Sequence, residues 1–125
     1  MRSIVSAKNA PAAIGPYSQA IQTDSLVMTS GQLPVDPSTG EIATGGIEAQ
    51  TAQALDNLNA VLNAAGFSMD SVIKTTVFIK DMNDFSRMNA IYANYFPADP
   101  PARSCIEVAR LPKDALIEIE AIATR

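Results

Sequence analysis

Hydrophobic and polar residues alternate along two segments near the end of the chain, residues 102–109 and 116–123. Such alternation is typical of β-strands buried on one face, because successive side chains point to opposite sides of a sheet. Residues 110–114 include a proline and predict a turn between the two strands. If the apolar side chains of both strands face one core, Arg103 and Glu118 are predicted to lie together on the opposite face.

Two segments have apolar residues at the three- and four-residue spacing of amphipathic helices. The first is Ile47–Ala65, with Gly66 placed as its C-terminal cap. The second is Asn83–Phe96, with Asp81 as its N-cap and Pro97 as its stop. The side chains of the second helix predicted to point inward are Phe85, Met88, Ile91 or Tyr92, and Tyr95.

Three further segments predict the remaining strands. Residues 3–6 form a short edge strand, residues 18–23 and 26–29 form a hairpin, and Val72–Lys80 forms a strand rich in β-branched residues. One face of the last strand is predicted to carry Ile73, Thr75, Val77 and Ile79. The order of elements predicts one domain over residues 1–125, an α+β two-layer sandwich with two helices on one face of a mixed sheet.

Two helices can cover only one face of this sheet. The other face is predicted to carry a mixture of charge and apolar bulk, namely Lys74, Phe78, Arg103, Cys105, Leu116, Glu118 and Ile122. A monomer rarely exposes such a patch, so we expect self-association through the uncovered face, with sites in the clefts between subunits.

Composition narrows the classes of function. The chain has 125 residues, 47% of them hydrophobic and 18% charged, which is typical of a soluble globular domain. A net charge of -4 argues against nucleic-acid binding, and no apolar run is long enough to span a membrane. The amino terminus lacks the apolar stretch of a signal peptide, and a single cysteine favours a reducing cytoplasm.

The chain contains no histidine. This excludes Ser-His and Cys-His nucleophilic pairs and makes a zinc site of the usual His/Cys kind unavailable. No glycine-rich phosphate-binding pattern is present either. Any chemistry must therefore come from carboxylates, Arg, Lys, Tyr, the one thiol, hydroxyls or backbone groups.

Arg103 and Glu118 are the strongest candidates for that chemistry. A guanidinium can bind a carboxylate through two parallel hydrogen bonds, and a partly buried glutamate can orient or deprotonate water. The structural alternative is a salt bridge between Arg103 and Glu118 or Glu120. Cys105 has no histidine to activate it, so we expect it to be a half-buried packing residue, and Glu120 to be a surface or interface charge.

Four other residues could belong to a site, each with a structural alternative. Tyr17 stands among prolines as a pocket wall or a core anchor. Ser30 and Gly31 end a strand where glycine permits a close approach, either by a ligand or by a neighbouring strand. Asn89 is a polar helix residue of the kind that is usually solvated.

Several motifs are spread over essentially the whole chain and are densest near its end. They are residues 101–109, 111–113, 117–121, 13–20, 29–32, 50–51 with 55–58, and 74–78. Together these motifs resemble the signature of the Rid family of reactive intermediate deaminases, specifically its RidA subfamily.

The resemblance implies a chorismate-mutase-like α+β fold assembled as a homotrimer, with sites between subunits. The implied activity is cofactor-independent and metal-independent hydrolysis of 2-iminoacids, such as 2-iminobutanoate and 2-iminopropanoate, or their enamine tautomers, to 2-oxoacids and ammonia. Such substrates are by-products of pyridoxal-phosphate-dependent dehydratases. The family has also carried an RNA-cleaving, translation-inhibiting label, and a chaperone-like binding protein is a further alternative.

The resemblance also implies roles for individual residues. Arg103 would bind the substrate carboxylate, and Glu118 would position or activate the attacking water. Ser104 and Cys105 would help to bind substrate, Cys105 largely through its backbone. The pocket wall would comprise Tyr17, Ser30 and Gly31, and Asn89 would make a contact from a second subunit.

Overall fold

The computed structural model describes residues 1–125, which form six strands and two α-helices. The strands are β1 (Ser3–Val5), β2 (Ala20–Gln22), β3 (Leu26–Thr29), β4 (Val72–Ile79), β5 (Ala102–Glu107) and β6 (Ile117–Thr124), and the helices are α1 (Gly46–Ala64) and α2 (Phe85–Tyr95). One mixed sheet contains all six strands in the order β1-β2-β3-β6-β4-β5, and only the β4–β5 pair is parallel. Every predicted element is present, with ends that differ by about two residues at most.

The hydrophobic core lies between the helices and one face of the sheet. Leu55, Leu58 and Leu62 of α1 are fully buried, as are Ile117 and Ile119 of β6. Burial of each such side chain contributes about 1.5–3 kcal/mol, so this seam between α1 and β6 fixes which face of β6 points inward. The α+β sandwich with both helices on one face is confirmed. Neither helix has the length and apolar character needed to cross a membrane.

The ends of the helices follow their sequence signals. Gly66 has a positive φ of 81° and donates its N–H to the Asn63 carbonyl, which ends α1 in the predicted way. The Asp81 carboxylate accepts the Asn83 N–H at 2.9 Å and caps a 3-10 turn that leads into α2. On α2 the buried side chains are Met88 and Tyr92, so Tyr92 rather than Ile91 faces the core.

The predicted inner face of β4 was wrong at its first residue. Thr75, Val77 and Ile79 are fully buried, as expected, but Ile73 is 47% exposed. A β-bulge between Val72 and Lys74 breaks the alternation, so Val72 takes the inward position instead.

The predicted placement of Arg103 and Glu118 on one face was also wrong. Arg103 pairs with Thr75 and Cys105 with Val77 across the parallel β4–β5 ladder, and side chains paired in this way point to the same side. Because Thr75 and Val77 face the helices, Arg103 and Cys105 do too. Glu118 belongs to the opposite face, since the neighbouring Ile117 and Ile119 are fully buried against the helices.

The face of the sheet that the helices leave uncovered carries a band of apolar side chains. Lys74, Phe78, Glu118 and Ile122 lie there as predicted, whereas Leu116, which precedes β6, packs partly against the core. Register places four apolar side chains from four adjacent strands in one row, namely Ile4, Ile21, Met28 and Ile122. Within this row Ile4 is 67% and Met28 55% exposed.

Candidate active site

An open cleft of about 790 Å³ lies beside β6, on the side of the sheet that carries Glu118. Four residues singled out from the sequence line it, namely Tyr17, Ser30, Gly31 and Glu118. Glu120 and Lys113 are the only other charged residues in its wall.

Gly31 and Glu118 are in direct contact within the cleft. Gln32 and Ile119 exchange two backbone hydrogen bonds, of 2.8 and 3.1 Å, which hold the backbone at Gly31 against β6. A Cβ atom on Gly31 would lie 2.7 Å from Cδ and 2.9 Å from Cγ of Glu118, closer than side chains can approach. Of the two close approaches considered for Gly31, by a ligand or by a neighbouring strand, the structure shows the second, through the Glu118 side chain of β6.

The Glu118 carboxyl has the electrostatic character of a base. Burial raises its pKa, and the negative charge of Glu120 raises it further. No hydrogen bond from the chain reaches its carboxylate oxygens, so no donor of the chain competes with water or a ligand for them. A raised pKa makes a carboxylate a stronger proton acceptor, so Glu118 can deprotonate a bound water.

Tyr17 and Ser30 form part of the wall of the cleft. Tyr17 is 51% exposed, so it is a pocket wall rather than a core anchor. The Ser30 hydroxyl donates to the Ser18 carbonyl at 2.6 Å, and the Ser30 N–H donates to the Gln19 carbonyl at 2.9 Å. Ser30 thus fixes the shape of the wall through bonds within the chain.

Arg103, the other strong candidate for the chemistry, lies on the edge strand β5. Its Nη1 donates to Oδ1 of Asn89 at 2.8 Å, and its Cζ lies 4.8 Å from the ring centre of Tyr92 and 5.4 Å from that of Phe85. Its guanidinium forms no salt bridge, so the predicted structural alternative, a pair with Glu118 or Glu120, is wrong. Arg103 keeps its charge and most of its donors for a ligand.

The backbone of Cys105 borders the open edge of the sheet. The Val108 N–H donates to the Ile79 carbonyl at 2.9 Å, and alternation along β5 then turns the N–H and C=O groups of Arg103 and Cys105 away from β4. The Cys105 thiol is half-buried, and burial raises its pKa, which the Arg103 charge only partly offsets. Cys105 is thus a packing residue with a free backbone, as expected.

Two further predicted residues have partners within the chain. The Ser104 hydroxyl accepts a hydrogen bond from Nζ of Lys74 at 3.2 Å, and it lies on the face opposite Arg103. Asn89, which sequence position alone left unremarkable, is the hydrogen-bond partner of Arg103. No group of three or more acidic or cysteine side chains converges as metal ligands would.

The candidate residues therefore form two separate groups. One group lines the cleft with Glu118, and the other lies at the β5 edge with Arg103. The contribution of Glu120 to the cleft was missed, although its position two residues after Glu118 on an alternating strand was the signal that could have revealed it.

Each comparison with known proteins finds relatives that match nearly the whole chain. The family model described as Endoribonuclease L-PSP matches residues 7–125. A RutC family protein of Pyrococcus horikoshii is 56% identical over 98% of both chains. The 2-iminobutanoate/2-iminopropanoate deaminase of Salmonella typhimurium is 54% identical over 100% of this chain and 99% of its own. Among solved structures, Escherichia coli TdcF with bound serine has a TM-score of 0.95 and 49% identity over 98% of both chains.

Proposed function

The chain belongs to the Endoribonuclease L-PSP family, and on this premise we propose that it hydrolyses 2-iminobutanoate and 2-iminopropanoate to 2-oxoacids and ammonia. The family resemblance predicted from the sequence motifs is confirmed. The observation that carries the proposed reaction is the Glu118 carboxylate, which is half-buried, has a raised pKa and has no hydrogen-bond partner in the chain.

The reaction requires one water and one base. Starting from the protonated imine, the water oxygen bonds to the imine carbon while Glu118 accepts one water proton, and the C=N double bond becomes a single bond to an NH2 group. Glu118 then returns this proton to the nitrogen and the C–N bond breaks, which releases ammonia. The hydroxyl oxygen gives its remaining proton to Glu118 as the carbon–oxygen bond becomes a carbonyl. A protonated imine is already electrophilic, so placing the water and substrate can supply about 7–11 kcal/mol of the barrier reduction.

The substrate carboxylate needs a second, positively charged partner. Arg103 presents a fork of donors that no acidic side chain neutralises, and the free N–H of Cys105 stands beside it. Serine, which TdcF binds, also carries a carboxylate next to a nitrogen-bearing carbon. In our proposal Arg103 and Cys105 hold the carboxylate, while Tyr17, Ser30 and Gly31 shape the cleft.

The two groups of residues lie on opposite faces of one sheet, so we propose that the site is completed between subunits. The cleft with Glu118 belongs to one subunit, and the β5 edge with Arg103 and Asn89 belongs to its neighbour in a homotrimer. The exposed row that includes Ile4 and Met28 supports self-association of the uncovered face. A single thiol and no disulfide are compatible with a cytoplasmic enzyme.

Ribonuclease activity, which the family description names, has less support. The chain has a net charge of -4, and the charged groups of its cleft are two carboxylates and one lysine. Such a cleft repels a phosphate backbone rather than attracting it. We therefore propose that any RNA degradation is secondary and independent of Glu118.

Mixing two inactive variants tests the shared site. We expect Arg103→Ala and Glu118→Gln each to abolish release of ammonia when a dehydratase supplies 2-iminobutanoate from threonine, with circular dichroism unchanged. In randomly mixed trimers, half of the subunits keep Arg103 and half keep Glu118, so about one quarter of the sites regain both groups.

Co-expressing the two variants should therefore recover about one quarter of the parent activity. Light scattering at micromolar concentration supplies the control, because the parent and both variants must be trimers. Recovery of no activity from mixed trimers would place both groups of one site in the same subunit. A monomeric parent with full activity would refute the shared site outright.

A further inference from the structure

The side chain of Arg103 rests on one face of α2. Phe85, Asn89 and Tyr92 are spaced by four and three residues, so they form a continuous stripe on that helix. The guanidinium is 5.4 Å from the Phe85 ring centre, 4.8 Å from the Tyr92 ring centre and hydrogen-bonded to Asn89. We call these three residues the Arg103 cradle.

A hydrogen bond to β4 fixes the position of the Tyr92 ring in the cradle. The Tyr92 side chain is 6% exposed, and its hydroxyl lies 2.7 Å from the hydroxyl of Thr75, which is fully buried. Thr75 is also the residue paired with Arg103 across the sheet. The aromatic ring under the guanidinium is therefore held by the same strand that positions the Arg103 backbone.

The cradle contains no acidic group. Within it, Arg103 donates a hydrogen bond only to the neutral amide oxygen of Asn89. The acidic side chains at the start of α2 and at the end of β5 are engaged elsewhere, since Asp84 pairs with Arg87 and Glu107 accepts the Met82 N–H at 2.8 Å. Arg103 is held in a defined position without losing its charge to a partner.

We propose that Phe85, Asn89 and Tyr92 are positioning residues that hold Arg103 as an ordered, unneutralised cation for the substrate carboxylate. This inference rests on the role proposed above for Arg103. It adds the side chains that hold the Arg103 guanidinium in place before the substrate binds. A neutral acceptor is the essential feature, because a carboxylate at position 89 would form an ion pair and compete directly with the substrate. Aromatic faces attract the guanidinium while leaving its N–H edge free.

Asn89→Asp distinguishes positioning of Arg103 for the substrate carboxylate from a purely structural role of Asn89. If Asn89 only anchors Arg103 for stability, an aspartate makes that bond stronger and binding is retained. If the neutral acceptor matters, Arg103 becomes locked in an ion pair and the Kd for 2-oxobutanoate, the reaction product, rises about tenfold or more. The melting temperature is expected to stay equal to that of the parent or to increase.

Calorimetry with 2-oxobutanoate and with 1-hydroxy-2-butanone, which lacks the carboxylate, gives the readout. We expect Asn89→Asp to abolish the preference of the parent for the carboxylate. Asn94→Asp adds the same charge at an exposed position of α2 and should keep the parent Kd. Parent-like Kd and preference in Asn89→Asp would overturn the inference.

The same titrations separate this inference from the proposed function. If Arg103→Ala binds 2-oxobutanoate as the parent does, the carboxylate role of Arg103 fails and the cradle inference fails with it. If Arg103→Ala loses binding but Asn89→Asp does not, only the cradle inference fails.

Phe85→Leu tests the aromatic contribution independently, because it changes no charge and removes no hydrogen bond. We expect its Kd for 2-oxobutanoate to rise about threefold to tenfold, because the guanidinium loses one aromatic face. Phe67→Leu is the matched control, since it removes the ring beneath a different arginine, Arg125, at 4.2 Å. Equal Kd values for Phe85→Leu and Phe67→Leu would contradict an aromatic contribution.

Discussion

Gly31→Ala is the smallest change that reaches the proposed base without altering any charge. The added methyl would lie 2.7 Å from Cδ and 2.9 Å from Cγ of Glu118. The backbone of Gly31 cannot retreat, because Gln32 and Ile119 exchange hydrogen bonds immediately beside it. The Glu118 side chain must therefore rotate, since its end is the only flexible part of the contact.

The consequences for stability and activity should differ sharply. Turning a side-chain torsion by about 30° from its rotamer costs about 0.5–1.5 kcal/mol. A turn of this size displaces the carboxylate at the end of the side chain, and a displacement of about 1 Å can cost about 100-fold in rate. We therefore expect kcat/KM to fall about 100-fold while the melting temperature changes by only a few degrees.

Gly46→Ala is the matched control for Gly31→Ala, because Gly46 lies outside the cleft. Gly46 has a φ of +78° and only the Glu48 carboxylate oxygen, at 4.0 Å, near an added Cβ, so alanine there is strained by the backbone rather than by a clash. We expect it to lose about 1–2 kcal/mol of unfolding free energy and to keep the parent activity. Both proteins are compared by thermal unfolding and by ammonia release from enzymatically supplied 2-iminobutanoate.

Two results would contradict this role of Gly31. If Gly31→Ala retained parent kcat/KM, the position of the Glu118 carboxylate would not matter for turnover, and Glu118 could not be the base. If Gly31→Ala lost activity only in proportion to unfolded protein, the glycine would serve the fold alone.

Two further changes test the surroundings of the cleft. Burial raises the Glu118 pKa most and remains in Glu120→Gln, which removes only the additional effect of the Glu120 charge. The acid limb of the pH profile of kcat/KM should therefore move to lower pH, because Glu118 then stays ionised in more acidic solution. Asn57→Ala removes the amide that donates to the carbonyls of Leu33 and Val35 at 2.9 and 2.8 Å, and leaving them unpaired should lower the unfolding free energy by about 2–4 kcal/mol in urea titrations.

Each of these two changes has its own control. Glu41→Gln makes the same charge change at an exposed position and should leave the acid limb in place; a shift equal to that of Glu120→Gln would mean that net charge alone is responsible. Asn63→Ala, at an exposed position of α1, should cost far less stability than Asn57→Ala. Equal losses would mean that removing an asparagine side chain from α1, rather than the two hydrogen bonds, explains the effect, since alanine itself favours the helix.

The elements themselves could be predicted because each has a local signal. The apolar spacing of α1 and the glycine that ends it agree, and Gly66 indeed adopts a positive φ. The alternation of β6 predicted the correct inward face because four apolar residues share it and two glutamates share the other. In these segments local pattern and tertiary burial favour the same arrangement.

The face of β5 could not be predicted in this way. Alternation defines two faces but does not identify the buried one, and β5 has few apolar side chains on either face. Ile106 is 47% exposed, whereas Arg103 and Cys105 face the helix layer. The outcome depends on the register with β4, which is a long-range property of the sheet. The bulge that turns Ile73 outward has the same origin.

The small size of the substrate explains why the wrongly predicted face of β5 matters for function. In a 2-iminoacid the carboxylate carbon is bonded directly to the imine carbon. The group that binds the carboxylate and the base must therefore converge on two adjacent atoms, with the first lying one hydrogen bond of about 2.9 Å from the carboxylate and the second equally close to the attacking water. Side chains on opposite faces of one sheet point away from each other, as those of Arg103 and Glu118 do. A single subunit therefore cannot present both groups to so small a molecule. Either a neighbouring subunit supplies one of them or one of the two assignments is wrong, and activity in mixed trimers distinguishes these outcomes.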